Sequence, residues 1–199
     1  MERYDIVLSG LGGQGVMTVS HVLALAASRE GIPVKMFEGT GIAQRGGAVF
    51  GFVRLGEAYG PKIPMGRADA IIGLEISEVL GVLPYLKNDG EVWVSSRRVD
   101  GYYTKLRPSS YASRKKIETA IRRVTSHLHV VPAEDLAQEA GSPRSVNMVM
   151  VGVFVSREKV LTHDSIAWAI QRVSRKFASP NLRAFWKGSE FVSREGVVP

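Results

Sequence analysis

Two glycine-rich segments in the first fifty residues hold the groups best suited to chemistry. The first has the spacing G-x-G-x-x-G and contains Gly10, Gly12, Gly13, Gln14 and Gly15. Glycine allows a tight turn and a close approach of the backbone to a ligand. A helix that begins directly after such a turn presents unpaired N–H groups to a phosphate. We therefore expect these five residues to bind a phosphate or another anion.

An acidic residue follows the glycine segment at a distance typical of dinucleotide-binding proteins. Glu38 lies at the end of the next strand pattern, where such proteins bind a ribose hydroxyl. Two other interpretations of the glycines remain open. They could allow a helix to pack tightly on a strand without any ligand, or they could bind a ligand other than NAD. The spacing is therefore better evidence for the fold than for the ligand.

The second segment, residues 38–48, is the most unusual in the chain, because four glycines flank one Gln–Arg pair. It follows a predicted parallel strand, and ligand sites of α/β proteins form at the carboxyl ends of such strands. Arg45 is a planar, permanently charged donor for carboxylate or phosphate, and Gln44 adds neutral donors and an acceptor. A surface turn with an incidental arginine is the alternative. The candidate contact residues are Gln44, Arg45, Gly46 and Gly47.

Alternating strand and helix patterns predict the scaffold that positions both segments. Residues 4–9 form a short apolar run, residues 16–29 carry apolar side chains at helical spacing, and residues 34–37 resemble a second strand. A strand, a glycine turn, a helix and a second strand make a βαβ unit with a parallel crossover. The expected fold class is α/β, a three-layer α/β/α domain with a mostly parallel (mixed) sheet, Rossmann-like.

A hairpin pattern makes the expected sheet mixed. Residues 48–55 have strand composition, and a turn after them is followed by a possible second arm at residues 59–63. We expect a helix over residues 75–86 and a strand over residues 91–95. In the second half, the patterns predict helices after Ser113, Pro132 and Thr162, a buried helix over residues 146–155 and a terminal helix over residues 181–191.

Composition limits the possible classes of function. A chain of 199 residues with 45% hydrophobic and 23% charged residues favours one domain, residues 1–199, of a globular protein. There is no apolar run of about 18 residues and no signal-peptide pattern, so we expect a cytoplasmic protein. The absence of cysteine excludes disulfides, thiolate-bound zinc and cysteine-held iron–sulfur clusters. Four scattered histidines predict no metal site. The net charge of +7 favours anionic partners but identifies none.

Taken together, the two segments resemble the gamma-type subunit, or fused domain, of the 2-oxoacid:ferredoxin oxidoreductases. The similarity continues through residues 63–75, through residues 83–90, and through the segments around Asn147 and Asn181, so it covers almost the whole chain. Within that family the sequence is most similar to the separate small subunit of the indolepyruvate type, usually called beta.

The resemblance implies an accessory role in a larger enzyme. Enzymes of this family decarboxylate a 2-oxoacid on thiamine diphosphate, reduce ferredoxin through iron–sulfur clusters and release an acyl-CoA. This chain has no cysteine for a cluster and no Gly-Asp-Gly…Asn pattern for the Mg²⁺ of thiamine diphosphate. The resemblance therefore implies a large partner subunit that carries these groups. It also implies that Gln44, Arg45, Gly46 and Gly47 contact substrate, CoA or the partner subunit, and that the chain is inactive alone.

Two other functions remain open from the sequence. The glycine loop and Glu38 could belong to a stand-alone nucleotide-binding or redox-sensing domain. A nucleic-acid binder is the third possibility, because Arg114, Lys115, Lys116, Arg122 and Arg123 crowd one predicted helix. Such a run is more typical of a solvated helix face, and no strand rich in aromatic residues supports base stacking.

Overall fold

The computed structural model describes residues 2–40, 47–96 and 112–194. Within these ranges six strands form one sheet: β1 (Tyr4–Leu11), β2 (Val34–Thr40), β3 (Ala48–Leu55), β4 (Ala68–Gly73), β5 (Leu86–Ser95) and β6 (Leu128–Val131). The α-helices are α1 (Val16–Arg29), α2 (Val79–Val82), α3 (Arg114–Arg122), α4 (Ala133–Glu139), α5 (Val146–Glu158), α6 (His163–Val173) and α7 (Ala178–Arg194). Short 3₁₀ turns precede β5 and α7 at Leu83–Tyr85 and Arg175–Phe177.

The sheet is mixed, and its strand order is β2-β3-β1-β4-β5-β6. The pairs β1–β4, β4–β5 and β5–β6 are parallel, whereas β3 is antiparallel to both of its neighbours, β1 and β2. Consequently β1 and β2, which α1 connects, run in the same direction but have β3 between them. The expectation of a mostly parallel, mixed sheet is confirmed.

Helices cover the two faces of the sheet unequally. Alternate residues of β1 point to opposite faces, so that Ile6 and Leu8 join one core cluster and Val7 joins the other. The larger cluster includes residues of α1 and of α4 to α7, and the smaller one includes residues of α2 and α3. This arrangement gives the expected three layers.

The closest helix contact in the larger layer depends on two glycines. A Cβ atom at Gly152 of α5 would collide with the backbone carbonyl of Phe185, and one at Gly188 of α7 would collide with that of Val149. The two helices therefore touch backbone to backbone, and each glycine removes the side chain that would separate them.

The predicted second hairpin arm at residues 59–63 is wrong, because no strand forms there. The antiparallel partners of β3 are β2 and β1 instead. Residues 59–63 are held by Arg54, whose Nη1 donates to the carbonyl oxygens of Gly60 at 3.0 Å and Lys62 at 2.9 Å. Arg54 also forms a buried, two-pronged ion pair with Asp5.

The helix observed within residues 75–86 is shorter than the predicted one, for two reasons. At its start, the Glu75 carboxylate accepts hydrogen bonds from the backbone N–H groups of Ser77 and Glu78, which stabilises a turn. At its end, Pro84 cannot donate an N–H within a helix. Only Val79–Val82 is α-helical, and β5 already begins at Leu86.

The remaining predicted helices form, with adjusted ends. Thr162 caps α6, since its hydroxyl oxygen accepts from Ser165 N at 3.2 Å. The buried helix predicted over residues 146–155 is α5, which continues to Glu158. Of the helices described here, none combines the length and the apolar character that crossing a membrane would require.

Candidate functional site

The glycine loop joins β1 to α1, and hydrogen bonds within the protein hold it closed. The Gln14 side chain accepts from Leu11 N at 2.7 Å and donates to the carbonyl oxygen of Leu74 at 3.2 Å. Gly12 N donates to the carbonyl oxygen of Gly47 at 2.8 Å. Gln14 and the Gly12 amide, both predicted to contact an anion, therefore fix the shape of the loop. Gly10 lies at the end of β1, paired with Val49 of β3.

Two glycines of the loop have backbone angles that other residues rarely adopt. Gly13 has φ +99° and Gly15 has φ +85°. Gly15 immediately precedes α1, and a Cβ atom there would collide with the side-chain amide of Asn147. The Asn147 amide nitrogen donates to the Gly15 carbonyl oxygen at 3.4 Å, a long hydrogen bond that links the loop to the start of α5. No atom lies within 4 Å of a Cβ built at Gly13.

A cleft of about 540 Å³ opens beside this loop. Its walls come from the loop and the start of α1, from the turn between α4 and α5, and from the segment that leads into α7. The lining residues are Gly13, Gln14, Gly15, Thr18, Ser142, Pro143, Arg144, Ser145, Asn147, Ser174, Phe177, Pro180 and Asn181.

The electrostatics of the cleft favour an anion. The amino ends of three helices, α1, α5 and α7, contribute to its lining, and the amino end of a helix carries a partial positive charge and unpaired N–H groups. Arg144, in the turn before α5, adds a full positive charge at the exposed rim. No carboxylate is found among the described residues that line the cleft.

A chain of buried hydroxyl and amide groups supports one wall of the cleft. The hydroxyls of Ser142 and Ser145 lie 2.6 Å apart, and Ser145 donates to the side-chain oxygen of Asn181 at 2.6 Å. All three side chains are buried. These bonds join the α4–α5 turn to the start of α7. They therefore fix the amino ends of α5 and α7 relative to each other.

The structure does not place Glu38 beside the glycine loop. Glu38 of β2 pairs with Gly51 of β3, which in turn pairs with Leu8 of β1, so one strand separates Glu38 from β1. In dinucleotide-binding folds the corresponding acidic residue ends the strand next to β1. Here Glu38 lies near His21 of α1, with Glu38 Oε1 and His21 Nε2 3.5 Å apart. The dinucleotide geometry is therefore not reproduced.

The structure describes the second glycine-rich segment at its two ends, residues 38–40, which close β2, and residues 47–48. Gln44, Arg45 and Gly46 lie outside the described residues. Gly47 is buried, and its carbonyl accepts from Gly12 as noted above. The end of the second segment is thus tied to the first, and the predicted role of Arg45 stays a prediction.

Sequence reasoning missed most of the cleft. Ser142, Arg144 and Ser145 were not among its candidates, although a Gly-Ser-Pro-Arg turn directly before a buried helix is a recognisable signal. Asn147 and Asn181 entered only as part of the family resemblance. Their approach to the glycine loop depends on tertiary contacts that no local pattern records.

Comparison with known proteins places the chain in a family. The family described as pyruvate ferredoxin/flavodoxin oxidoreductase matches residues 5–191. The chain belongs to this family. It is 33% identical to the indolepyruvate oxidoreductase subunit IorB of Thermococcus kodakarensis over 94% of this chain and 95% of that protein. It is 26% identical to the pyruvate synthase subunit PorC of Methanothermobacter marburgensis over 81% of each.

Two solved structures show the same fold as this chain. The gamma subunit of a keto/oxoacid ferredoxin oxidoreductase from Geobacter sulfurreducens superimposes with a TM-score of 0.70 at 23% identity, covering 96% of this chain and 99% of that one. A 2-oxoglutarate:ferredoxin oxidoreductase chain from Magnetococcus marinus gives 0.73 at 18% identity, covering 98% of this chain but 32% of that one. The fold of this chain therefore occurs both as a separate subunit and within a longer chain. The resemblance found in the sequence is confirmed.

Proposed function

We propose that this chain is the accessory subunit of a 2-oxoacid:ferredoxin oxidoreductase of the indolepyruvate type. The observation that carries the proposal is the match over nearly the full length to proteins named indolepyruvate oxidoreductase subunit IorB, at 33% identity in Thermococcus kodakarensis and 34% in Pyrococcus horikoshii. The reaction is the oxidative decarboxylation of a 2-oxoacid to an acyl-CoA, with ferredoxin as the electron acceptor.

The cofactors of this reaction belong to a larger partner. The chain has no cysteine to hold an iron–sulfur cluster. Within the described ranges, no group of three His, Cys, Asp or Glu side chains is arranged to hold a metal ion. When bound in the assembled enzyme, thiamine diphosphate with Mg²⁺ supplies the decarboxylation chemistry and the clusters carry electrons. We assign both to a large catalytic subunit.

The contribution of this chain is an anion-binding surface at the cleft beside the glycine loop. Three helix amino ends and Arg144 attract negative charge, and the hydroxyls of Thr18 and the buried serines add polar groups. Coenzyme A carries phosphates and a 2-oxoacid carries a carboxylate, so both have the required charge. A cleft of about 540 Å³ is within the usual range for a small-molecule site. We propose that this cleft binds the phosphates of CoA and that Arg45 contacts a second anion.

The subunit assignment is tested by reconstitution. The purified chain alone should not reduce an electron acceptor with any 2-oxoacid, and adding the separately purified large subunit should give CoA-dependent ferredoxin reduction. The measurement is acceptor reduction with indolepyruvate, phenylpyruvate, pyruvate and 2-oxoglutarate. Acceptor reduction by the lone chain, or full activity of the large subunit without it, would contradict the assignment.

The site assignment is tested by Arg144→Ala in the reconstituted enzyme. Loss of one charge-assisted hydrogen bond or ion pair should raise the KM for CoA about tenfold, while the KM for the 2-oxoacid stays within about twofold. Arg122→Ala is the matched control, because Arg122 is an exposed arginine on α3, away from the cleft. An unchanged KM for CoA, or an equal change in the control, would show that the cleft does not bind CoA.

A further inference from the structure

The positive charge of this chain is concentrated in one stretch of the sequence. Residues 97–123 contain nine of the 26 basic residues but only two of the 19 acidic ones, which gives this stretch a formal charge of +7. The whole chain also has a formal charge of +7, so its other residues are neutral as a set. The structure describes the last part of the stretch, which is helix α3. The basic excess is therefore a local feature of the molecule.

The first turn of α3 carries charges of the sign that a helix disfavours there. Arg114, Lys115 and Lys116 are consecutive, and this turn contains no acidic residue. The amino end of a helix has a partial positive charge, so cations near it destabilise the helix. Glu118 pairs with Arg114, but Lys115 and Lys116 are exposed and form no ion pair within the described part of the chain. An anionic group bound at these lysines would remove the unfavourable interaction.

A hollow on the surface of α3 brings the two lysines together with Arg123, which follows Lys116 by seven residues, or about 10 Å along the helix axis. Thr119 and Ala120, whose side chains are short, lie between these cations in the sequence. The Thr119 hydroxyl donates to the Lys115 carbonyl oxygen at 2.8 Å, so it stays close to its own helix. A partner can therefore approach the helix between its cations. The described residues that line the hollow are Ser113, Lys115, Lys116, Thr119, Ala120 and Arg123.

We propose that this hollow binds an acidic surface of the large catalytic subunit, whose carboxylates pair with Lys115, Lys116 and Arg123. The proposal rests on the proposed function, which supplies the partner. A protein surface would also cover Val124, an apolar side chain that is 45% exposed directly after Arg123. A nucleic acid is the less favoured polyanion, because none of the described residues that line the hollow is aromatic and could stack on a base.

An acidic electron acceptor is a less suitable occupant than the catalytic subunit. An acceptor must bind close to an electron carrier, and this chain has no cysteine to hold an iron–sulfur cluster. The position of α3 also suits a subunit that stays bound. Helix α3 packs in the smaller core cluster, whereas α1, α5 and α7, which line the cleft beside the glycine loop, pack in the larger one on the other face of the sheet. A partner on α3 therefore leaves the cleft open.

The first test is the rate at which the full chain associates with the immobilised large subunit, measured by surface plasmon resonance. The rate constant should fall about tenfold between about 50 mM and about 500 mM NaCl, because salt screens the attraction. Lys115→Glu combined with Lys116→Glu should lower it about tenfold at the lower salt concentration. Lys35→Glu combined with Lys159→Glu is the matched control. It makes the same change in net charge at two exposed lysines, on β2 and directly after α5, and should stay within about twofold of wild type.

Two further measurements separate binding from folding. Glutamate is favoured in the first turn of a helix, so the melting temperature of the isolated Lys115→Glu, Lys116→Glu variant should rise by about 2 °C while its association slows. In the wild-type complex, a carbodiimide that joins an amine directly to a carboxylate should link Lys115 or Lys116 to an acidic residue of the large subunit, which mass spectrometry identifies.

Three results would overturn the proposal. One is an equal association rate in wild type and the Lys115→Glu, Lys116→Glu variant, or an equal loss in the control. Another is a wild-type complex in which other lysines of the chain are linked to the large subunit but these two are not. The last is binding of an RNA of about 20 nucleotides at physiological salt that the variant abolishes, which would assign the hollow to a nucleic acid.

The outcomes also distinguish this proposal from the proposed function. A wild-type chain that neither binds nor activates the large subunit would overturn both. Normal activation together with any of the three results would overturn the contact at α3 alone. If the Lys115→Glu, Lys116→Glu variant fails to fold, the cross-linking of the wild-type complex decides.

Discussion

Glycines serve two different physical purposes in this chain, in the glycine loop and in the α5–α7 contact. Gly13 and Gly15 have positive φ angles, so the loop needs them for their backbone conformation. Gly152 and Gly188 lie in helices and are needed because another backbone occupies the position of a side chain. The helix glycines therefore act on stability through packing, whereas the loop glycines set the shape of the candidate site through their backbone angles.

The largest effect is expected on stability, at the contact between α5 and α7. Gly152→Ala should destabilise the protein by about 3 kcal/mol or more, because the new methyl group meets the rigid backbone of Phe185 and not a flexible side chain. The measurement is chemical denaturation of the isolated chain. Gly81→Ala is the control: Gly81 lies in α2 with open space around it, and alanine is the better helix former there. Equal stability of Gly152→Ala and wild type would show that α5 and α7 do not pack as described.

The next largest effect is expected on activity, at Arg45 of the second glycine-rich segment. Arg45→Ala should lower kcat/KM of the reconstituted enzyme by about tenfold to hundredfold, the scale of one lost charge-assisted hydrogen bond. Arg45→Lys should restore it only in part, because an ammonium group cannot form a two-pronged pair. The melting temperature should not change. A large fall in melting temperature would instead identify Arg45 as a structural residue, and wild-type kinetics would make the segment a scaffold.

A smaller effect distinguishes the two loop glycines from each other. Alanine at either Gly13 or Gly15 should cost about 1–2 kcal/mol for the left-handed backbone. Only Gly15→Ala also pushes Asn147 away from the loop. We therefore expect both a larger loss of stability and a larger rise in the KM for CoA in Gly15→Ala than in Gly13→Ala. Identical KM values in the two variants would contradict the link between the loop and α5.

The smallest effect is expected on stability, at Glu158, the last residue of α5 and far from the glycine loop. Burial raises the pKa of Glu158, and the hydrogen bond from the Tyr4 hydroxyl opposes this rise only in part. A carboxyl whose pKa is higher in the folded state stabilises the fold below its unfolded pKa and loses that contribution as pH rises through the folded pKa.

Glu158→Gln keeps an acceptor for Tyr4 and removes the charge. It should therefore gain about a few tenths of a kcal/mol over wild type at neutral pH, since solvent screens this half-exposed group. The advantage should vanish near pH 4. The measurement is the free energy of unfolding from pH 4 to pH 8, and a gain that does not depend on pH would refute the electrostatic explanation.

Local patterns were sufficient to predict most helices and strands, because their signals are local. The buried helix α5, the cap at Thr162 and the glycine turn after β1 each follow from a few neighbouring residues. The position of β3 could not be predicted in this way. Its composition identifies a strand, but whether it pairs with a later arm or with β1 and β2 depends on contacts distant in sequence.

The candidate site was only partly predictable for the same reason. The glycine loop could be predicted because its spacing is unusual. The hydrogen bond from the Gln14 side chain to the Leu74 carbonyl oxygen could not, because it depends on where Leu74 lies in the fold. Arg144 stands about 130 residues after the loop, and only the packing of α5 against α1 and α7 brings it to the same cleft. Ordinary serines and asparagines in turns carry no sequence signal strong enough to select them.

The insertion of β3 between β1 and β2 has a consequence for biosynthesis. Both sheet neighbours of β1, which are β3 and β4, are encoded after it, so β1 cannot pair with any strand until residues 48–55 have left the ribosome. The β2–β3 pair, by contrast, joins Thr40 to Val49, only nine positions later in the sequence, and can close early. The growing chain should therefore form this hairpin first and then add β1 to its edge. During that interval an apolar strand remains exposed, and this is when aggregation or chaperone binding is most favoured.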